Sequence, residues 1–328
     1  MSQPAGSISA VDRVVAVDWS GDRSAAGQRK KIWAAVWTST SHGRLGAGAI
    51  RLSSGRTRSE LADWLITMAD ETPRMVVGLD CCFSFPAWFL TEHGCTTVFD
   101  FWMAVAEGRG EQWLGRGCAD ARFWGIPGSS RTGRRPSEFS GEGFRRMMRT
   151  TDWENTVAVH QQDGDPARAA KMRGITAKSP FQIGGSGSVG TGSLRAMSVL
   201  RQLRDAGFRV WPFEKPELAE GAPRPLLVEI YSRLLTGPVA KSNSAARKAY
   251  LSSRRRMDPA YAALSRTALQ SACANEDAFD ALVSCVEMVR WRCEFAALQA
   301  ASDPVLALEG ITWRAGVQSG EGVPSTSE

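Results

Sequence analysis

Two short apolar segments that each end on an aspartate constrain this chain more than any other feature of its sequence. Arg13–Asp18 and Arg74–Asp80 each run without a polar residue from the arginine to the final aspartate. Continuous apolar runs of this length predict strands that are buried on both faces of a sheet. Open α/β sheets bind ligands at the carboxyl ends of their strands, which is where Asp18 and Asp80 would lie.

The remaining hydrophobic periodicity predicts an α/β fold with a mixed sheet flanked by helices. The first eighty residues predict the order β-β-β-α-β, with Lys31–Trp37 and a segment near Gly48–Leu52 as the second and third strands and Arg58–Asp70 as the helix. Later strands are expected at Gly207–Glu214 and Pro225–Tyr231. Further helices are expected at 194–205, 245–252, 259–272 and 276–300.

The segment from about 81 to 183 has no clear periodicity and is rich in arginine, tryptophan, phenylalanine and glycine. It is too long for a loop, so we interpret it as an insertion after the fourth core strand. Residues 1–12 are expected to form a flexible N-terminus and 316–328 a disordered tail. Residues 13–315 are then predicted to form one domain.

Cysteine and histidine usage argues against several kinds of site. None of the 7 cysteines forms a C-x-x-C pair, and the 3 histidines, His42, His93 and His160, lie in no recognisable motif. A disulfide framework or a zinc site is therefore not expected. The N-terminus does not resemble a signal peptide and no apolar run is long enough to span a membrane, so we expect a cytoplasmic location. The net charge of +6 permits an anionic partner such as nucleic acid.

Further carboxylates lie in the second half of the chain. Glu229 stands near the end of a predicted strand. In the last helix Asp280, Ser284 and Glu287 share one narrow polar stripe, and Asp277 lies one turn before Asp280. Taken alone, the stripe is typical of a solvent-facing surface or of acids that complement the helix dipole. Beside the strand-end acids, Asp277 and Asp280 become candidate ligands.

Clustered carboxylates fit one chemistry in particular. Hydrolysis of a phosphodiester needs an activated water and a stabilised leaving oxygen, and two Mg²⁺ or Mn²⁺ ions about 4 Å apart supply both. Hard oxygen ligands suit those ions, and histidine is not needed. We take Asp18, Asp80, Asp280 and Glu229 as candidate catalytic residues. The candidate metal ligands are Asp18, Asp80, Asp280 and Asp277.

A glycine-rich stretch is the candidate phosphate-binding element. Gly185–Gly190 matches G-x-G-x-x-G, but no clear apolar strand precedes it, so a dinucleotide site is weakly indicated. Backbone N–H groups of such a loop at a helix N-terminus can still hold a phosphate. The equal alternative is a flexible linker before a helix that Ser193 caps. The candidate phosphate-binding residues are Ser20, Gly187, Gly190, Thr191, Ser193 and Arg195.

Arginines in the 81–183 segment offer a second anionic contact. Aromatic residues lie between them in sequence, and aromatic faces stack on unpaired bases. Acidic residues dilute the charge, so a solvated surface with buried tryptophans is the alternative. The arginines are Arg109, Arg116, Arg122, Arg131, Arg134, Arg135, Arg145, Arg146 and Arg149, and the aromatic residues are Trp113, Phe123 and Trp124.

Seven stretches resemble an uncharacterised bacterial and archaeal family of predicted nucleases with the ribonuclease H fold. They are Val17–Gly21, Gly78–Pro86, Lys178–Gly185, Val189–Arg195, Val210–Glu214, Val228–Tyr231 and Asp277–Ala281. The resemblance implies a ribonuclease H-like sheet with Asp18 on the first strand and Asp80 on the fourth. It also implies a final helix in which Asp277 and Asp280 fill the D-x-x-D positions of Holliday-junction resolvases.

Three functions follow as hypotheses. The first is a nuclease that depends on Mg²⁺ or Mn²⁺, with nucleic acid as its partner. The second is an ATP-binding phosphotransferase of the actin-like and sugar-kinase type, whose phosphate turn Asp18–Gly21 fits loosely. The third is a nucleic-acid-binding module without turnover, against which the strand-end acids argue, since negative charge does not help to bind phosphate.

Overall fold

The strands of the described residues form one mixed sheet in the order β3-β2-β1-β4-β6-β5. The computed structural model describes residues 10–39, 49–118, 120–125, 142–158, 178–185, 188–219 and 221–316. β2 runs antiparallel to β1 and β3, whereas β1, β4, β6 and β5 run parallel. The strands are β1 Arg13–Asp18, β2 Trp33–Thr38, β3 Ile50–Ser53, β4 Met75–Leu79, β5 Arg209–Trp211 and β6 Leu226–Glu229. The predicted α/β fold with a mixed sheet is confirmed.

Helices flank the sheet on both faces. They are α1 Ala25–Lys31, α2 Arg58–Glu71, α3 Ala87–Glu92, α4 Val98–Ala104, α5 Gly110–Leu114, α6 Glu142–Arg146, α7 Thr150–Ala158, α8 Gly190–Asp205, α9 Ser232–Thr236, α10 Ser244–Met257, α11 Pro259–Ala262, α12 Arg266–Ala274, α13 Glu276–Arg290 and α14 Leu306–Glu309. None of the helices in the described ranges has both the length and the apolar character that a membrane crossing requires.

Several predicted boundaries were wrong. A short helix, α1, lies between β1 and β2, so the opening order is β-α-β-β-α-β. Its sequence has no large apolar residue and no helical periodicity, but Ser24 caps it by accepting a hydrogen bond from the Gly27 N–H at 3.0 Å. The helix predicted over 259–272 is two helices, α11 and α12, and the last long helix ends at Arg290.

The two faces of the sheet bury different partners. Val15 and Val17 of β1 pack with α2, α8 and the aromatic residues of the 81–183 segment. Val14 and Ala16 pack with α13 and the C-terminal segment. This split follows the alternation of side chains along a strand. The described parts of the 81–183 segment thus share their core with the sheet.

Helix α13 is buried on all sides between the sheet and a second layer of helices. Ala281, Cys285 and Met288 face the sheet, while Phe279 and Leu282 pack against α10 and α12. The expectation that its polar stripe faces solvent is therefore wrong, because Asp280, Ser284 and Glu287 are all buried.

The turn after β1 packs directly against the start of α8. The indole of Trp19 donates to the Gly192 carbonyl at 2.9 Å, and the Arg195 guanidinium donates to the Gly21 carbonyl at 2.5 Å. A Cβ atom at Gly21 would lie 2.7 Å from the Gly192 backbone nitrogen. Only glycine allows this approach without moving the turn that follows Asp18.

Replacing Gly21 by alanine is therefore expected to destabilise the protein by about 1–3 kcal/mol, because backbone atoms cannot give way as a flexible side chain would. Gly117→Ala is the matched control, since an added Cβ there meets nothing within 4 Å. Chemical denaturation of both variants checks the prediction. Equal free energies of unfolding for the two would contradict it.

Candidate functional site

The carboxyl ends of β1 and β4 place two aspartates level with each other on one face of the sheet. β1 and β4 are parallel neighbours in register, with Ala16 opposite Gly78. Both of these residues face α13. Because side chains alternate with a period of two, Asp18 and Asp80, two residues further along, face α13 as well.

Asp280 on α13 joins the two strand-end aspartates in an acidic triad. One carboxylate oxygen from each of Asp18, Asp80 and Asp280 lies within 4.8 Å of the others. The Asp280 side chain is almost completely buried, and its Oδ1 atom accepts no hydrogen bond from the described residues. The structure thus brings together three of the predicted site residues, at a separation that one shared cation can bridge.

Two residues that the sequence did not single out hold the acidic triad. Ser232, the first residue of α9, donates from its hydroxyl to Asp280 at 3.2 Å and from its backbone N–H to Asp80 at 3.4 Å. The Lys241 ammonium forms an ion pair with Oδ2 of Asp280. Both lie outside any motif, and their proximity to the acids arises only when α9 packs beside α13.

Burial and mutual repulsion raise the pKa values of the acidic triad. Burial is the main cause that lifts the pKa of Asp18 well above its usual value, and the charges of Asp280 and Asp80 add to it. Burial raises the pKa of Asp80 to about 6, although Lys241 opposes the effect. Burial also raises the pKa of Asp280, again against Lys241. The single ammonium of Lys241 therefore does not offset the burial and mutual repulsion of the three carboxylates.

Asp277 lies one turn before Asp280 and is partly exposed. Burial, followed by the charges of Glu276 and Asp280, raises its pKa to about 6. Its charge also raises the pKa of Asp18. Among the described residues its carboxylate is not one of the three that share the 4.8 Å separation. Asp277 is thus a neighbour of the acidic triad.

Glu229 belongs to a different cluster, although it also ends a strand. β6 pairs with β4 so that Glu229 stands opposite Leu79 and not opposite Asp80. Its side chain therefore faces away from α13. Oε2 accepts from the Phe83 N–H and from Arg149, each at 2.7 Å, and Oε1 accepts from Thr312 at 2.6 Å and from Arg149.

The partner of Glu229 is a completely buried arginine. Arg149 also forms two hydrogen bonds with Asp152, at 2.8 and 3.1 Å, and donates to the Glu309 carbonyl at 3.1 Å. The carboxylates of Asp152 and Glu229 raise the pKa of Arg149 against the effect of its burial. This network joins the 81–183 segment to β6 and to the C-terminal segment, and it occupies both oxygens of Glu229.

The start of α8 tests one of the two alternatives predicted for the glycine-rich stretch, the capping of the helix by Ser193. The helix begins at Gly190 after an N-cap, Val189, whose side chain makes no capping hydrogen bond. Capping by Ser193 is therefore wrong. The buried Ser193 hydroxyl donates to the Val189 carbonyl at 2.9 Å and accepts from the Cys82 N–H at 3.0 Å. The Gly190 N–H donates to Gln182, and the Thr191 hydroxyl donates to the Ile183 carbonyl at 2.7 Å.

The other predicted phosphate contacts are also engaged within the protein. Arg195 forms an ion pair with Glu111 at 2.7 Å in addition to its bond to Gly21. The Ser20 hydroxyl accepts a hydrogen bond from the Asp22 N–H at 3.1 Å. Gly187 lies outside the described residues. Of the predicted phosphate-binding set, Thr191 lines the cavity described next.

A cavity of about 300 Å³ lies beside the acidic triad. Asp80 and Tyr231 line it near the strand ends, Thr191 and Gly192 line it at the start of α8, and Arg149 lines it on the side of the buried network. This volume is at the lower end of small-molecule sites, which begin at about 300 Å³. The cavity can accept one small group next to Asp80.

In the described part of the 81–183 segment, the three aromatic residues considered for stacking on bases are not accessible for that role. Trp113, Phe123 and Trp124 are buried in the core. Arg149 is buried as described, and Arg122 forms ion pairs with acidic neighbours. Arg131, Arg134 and Arg135 lie outside the described residues, whereas Arg109, Arg116, Arg145 and Arg146 are exposed.

The chain matches no protein-family model, no curated protein and no solved structure at a significant level. The site must therefore be interpreted from its own geometry.

Replacing Glu229 by glutamine is expected to destabilise the protein by about 2–5 kcal/mol, because either orientation of the amide would set its NH₂ group against buried donors. Glu71→Gln is the matched control, since Glu71 is 63% exposed and pairs with Arg13 at 3.5 Å. Its effect should stay below about 0.5 kcal/mol. Urea denaturation measures both, and a Glu229 variant as stable as the control would refute the structural role.

The acidic triad is expected to make the metal-free protein less stable as pH rises. The pKa values of Asp80 and Asp277 rise from 3.8 to about 6 on folding, so the folded state binds more protons between these values. Stability should therefore fall between about pH 4 and pH 6 and remain lower above that range. Asp18→Asn, which removes one charge, should raise the free energy of unfolding at pH 8 by roughly 1–3 kcal/mol.

Asp70→Asn provides the control, because Asp70 is exposed and lies at the far end of α2. The free energies of unfolding of the wild type and both variants are measured in EDTA at pH 5 and pH 8. If Asp18→Asn is less stable than wild type at pH 8, charge repulsion in the acidic triad is disproved.

Proposed function

We propose that this protein is a nuclease that depends on Mg²⁺ or Mn²⁺ and hydrolyses phosphodiester bonds at the acidic triad. The observation that carries the proposal is the convergence of Asp18, Asp80 and Asp280 to within 4.8 Å. They come from two strand ends and one helix that are far apart in sequence. Chance surface acids do not account for a carboxylate as buried as Asp280, which is 1% exposed.

The donor set fits a hard divalent cation. Carboxylate oxygens are the ligands that Mg²⁺ and Mn²⁺ prefer, and Oδ1 of Asp280 is a buried acceptor without a partner among the described residues. Asp18, Asp80 and Asp280 would hold the cation, and Asp277 would support them as a further ligand or as a base. When bound, the cation would supply charge neutralisation and an activated water.

Residues of the chain itself prepare the site. Ser232 fixes the orientation of Asp280 and Asp80 through its hydroxyl and its N–H. Lys241 forms an ion pair with Asp280. Its ammonium also brings positive charge to the site where a phosphodiester anion would bind. Glu229 has no part in this proposal, because Arg149 and Thr312 engage its carboxylate.

The architecture supports a ribonuclease H-like interpretation of the sheet. β1, β2 and β3 form an antiparallel unit, β4 then pairs parallel with β1, and a late helix carries the final acid. This is the arrangement that the family resemblance implies. The same core topology is expected of an ATP-binding phosphotransferase, and the cavity beside Asp80 is the observation that keeps this alternative open.

The purified protein should cleave labelled DNA or RNA in the presence of Mg²⁺ or Mn²⁺ and not in EDTA. Asp18→Asn should lower the cleavage rate about a hundredfold or more, because it removes a ligand of the cation. It should also abolish the rise in melting temperature that Mn²⁺ causes in the wild type. Single-stranded, duplex and branched substrates identify the class that is cleaved.

Asp70→Asn should retain both cleavage and the response to Mn²⁺. Cleavage that persists in Asp18→Asn would remove the acidic triad from the mechanism. Absence of cleavage together with ATP binding by calorimetry would favour the phosphotransferase. Salt-dependent binding of nucleic acid without cleavage would favour the module without turnover.

A further inference from the structure

The net positive charge of the protein comes from one segment that adjoins the acidic triad. Residues 232–275, here called the basic segment, carry eight basic residues and one acidic residue. Removing these from the chain totals of 40 basic and 34 acidic residues leaves 32 and 33. The net charge of +6 therefore arises from the basic segment alone, and the rest of the chain is nearly neutral.

The charge lies on an exposed helix face. Lys248, Arg255 and Arg256 of α10 are exposed, and alanine and serine fill the exposed positions between them. A rise of about 1.5 Å per residue separates Lys248 from Arg255 by about 10 Å along the helix. That distance corresponds to about three phosphates of one strand. Arg266, at the start of α12, adds a further exposed cation.

The basic segment contacts the acidic triad directly. Its first residue, Ser232, and one of its two lysines, Lys241, both contact Asp280. The buried Arg247 of α10 donates to the Lys241 carbonyl and to the Cys273 carbonyl, the latter at 2.8 Å. Asn243, two residues after Lys241, caps α10. The basic helix therefore begins at the acidic triad and runs away from it.

We propose that the basic segment is the surface that binds the nucleic-acid backbone and leads it to the acidic triad. This inference rests on the proposed function, since it names the partner surface of the same site. An anionic membrane is a poorer occupant, because Leu251 of α10 is already buried against α12 and α13. Apart from Met257 at its end, the helix offers no large apolar side chain to a bilayer.

Binding is measured on the full chain in EDTA, so that cleavage plays no part, with labelled single-stranded and duplex oligonucleotides of DNA and of RNA. The triple variant Lys248→Gln/Arg255→Gln/Arg256→Gln should bind at least about tenfold more weakly. The slope of log affinity against log salt should fall by about 2–3, since each lost phosphate contact contributes about 0.7–0.9. Unchanged melting temperature shows that the fold is retained.

The matched control is Lys30→Gln/Arg201→Gln/Lys215→Gln, which removes three exposed positive charges outside both the basic segment and the 81–183 segment. It should bind nearly as wild type. Three results would overturn the inference: equal losses in both variants, no binding by the wild type, or binding only to anionic vesicles. Intact binding through the basic segment without cleavage in Mn²⁺ would instead reject the nuclease and leave this surface in place.

Discussion

The acidic triad depends on the burial of α13 on both of its sides. The sheet covers one side of the helix and α10–α12 cover the other, so a polar side chain on the sheet side of its second turn faces the strand ends. Asp280 stands there, and an unpaired buried carboxylate would cost several kcal/mol. Ser232 and Lys241 reduce that cost. The second helical layer therefore both buries the acid and delivers its partners.

Two buried ionic clusters among the described residues have opposite balances of charge. Around Arg149, the carboxylates of Asp152 and Glu229 surround one guanidinium, and hydrogen bonds occupy both oxygens of each carboxylate that Arg149 binds. At the acidic triad, one lysine faces three aspartates and Oδ1 of Asp280 has no partner among the described residues. A satisfied network stabilises a fold, whereas an unsatisfied one commonly marks a functional site.

Sequence alone predicted most of the sheet, because long apolar runs without polar residues fit few other structures. It missed α1, which has no large apolar residue and whose stability comes from a cap and tertiary context. The spacing of the polar residues in α13 predicted that they share one side of the helix. Spacing alone does not show which part of the protein packs against that side. Lys241 could not be predicted, since its role arises from the loop that Arg247 and Asn243 hold in place.

Glu229 shows that the environment of an acid at a strand end depends on the face of the sheet to which its side chain points. Asp18, Asp80 and Glu229 look equivalent in sequence, because each lies at or near the end of a predicted apolar strand. The pairing of β6 with β4 sets Glu229 opposite Leu79, one residue short of Asp80. Because side chains alternate, that single step turns its carboxylate from the α13 face toward Arg149. Register is a property of the assembled sheet, so an acid at the same kind of position forms a buried ion pair with Arg149 and does not join the acidic triad.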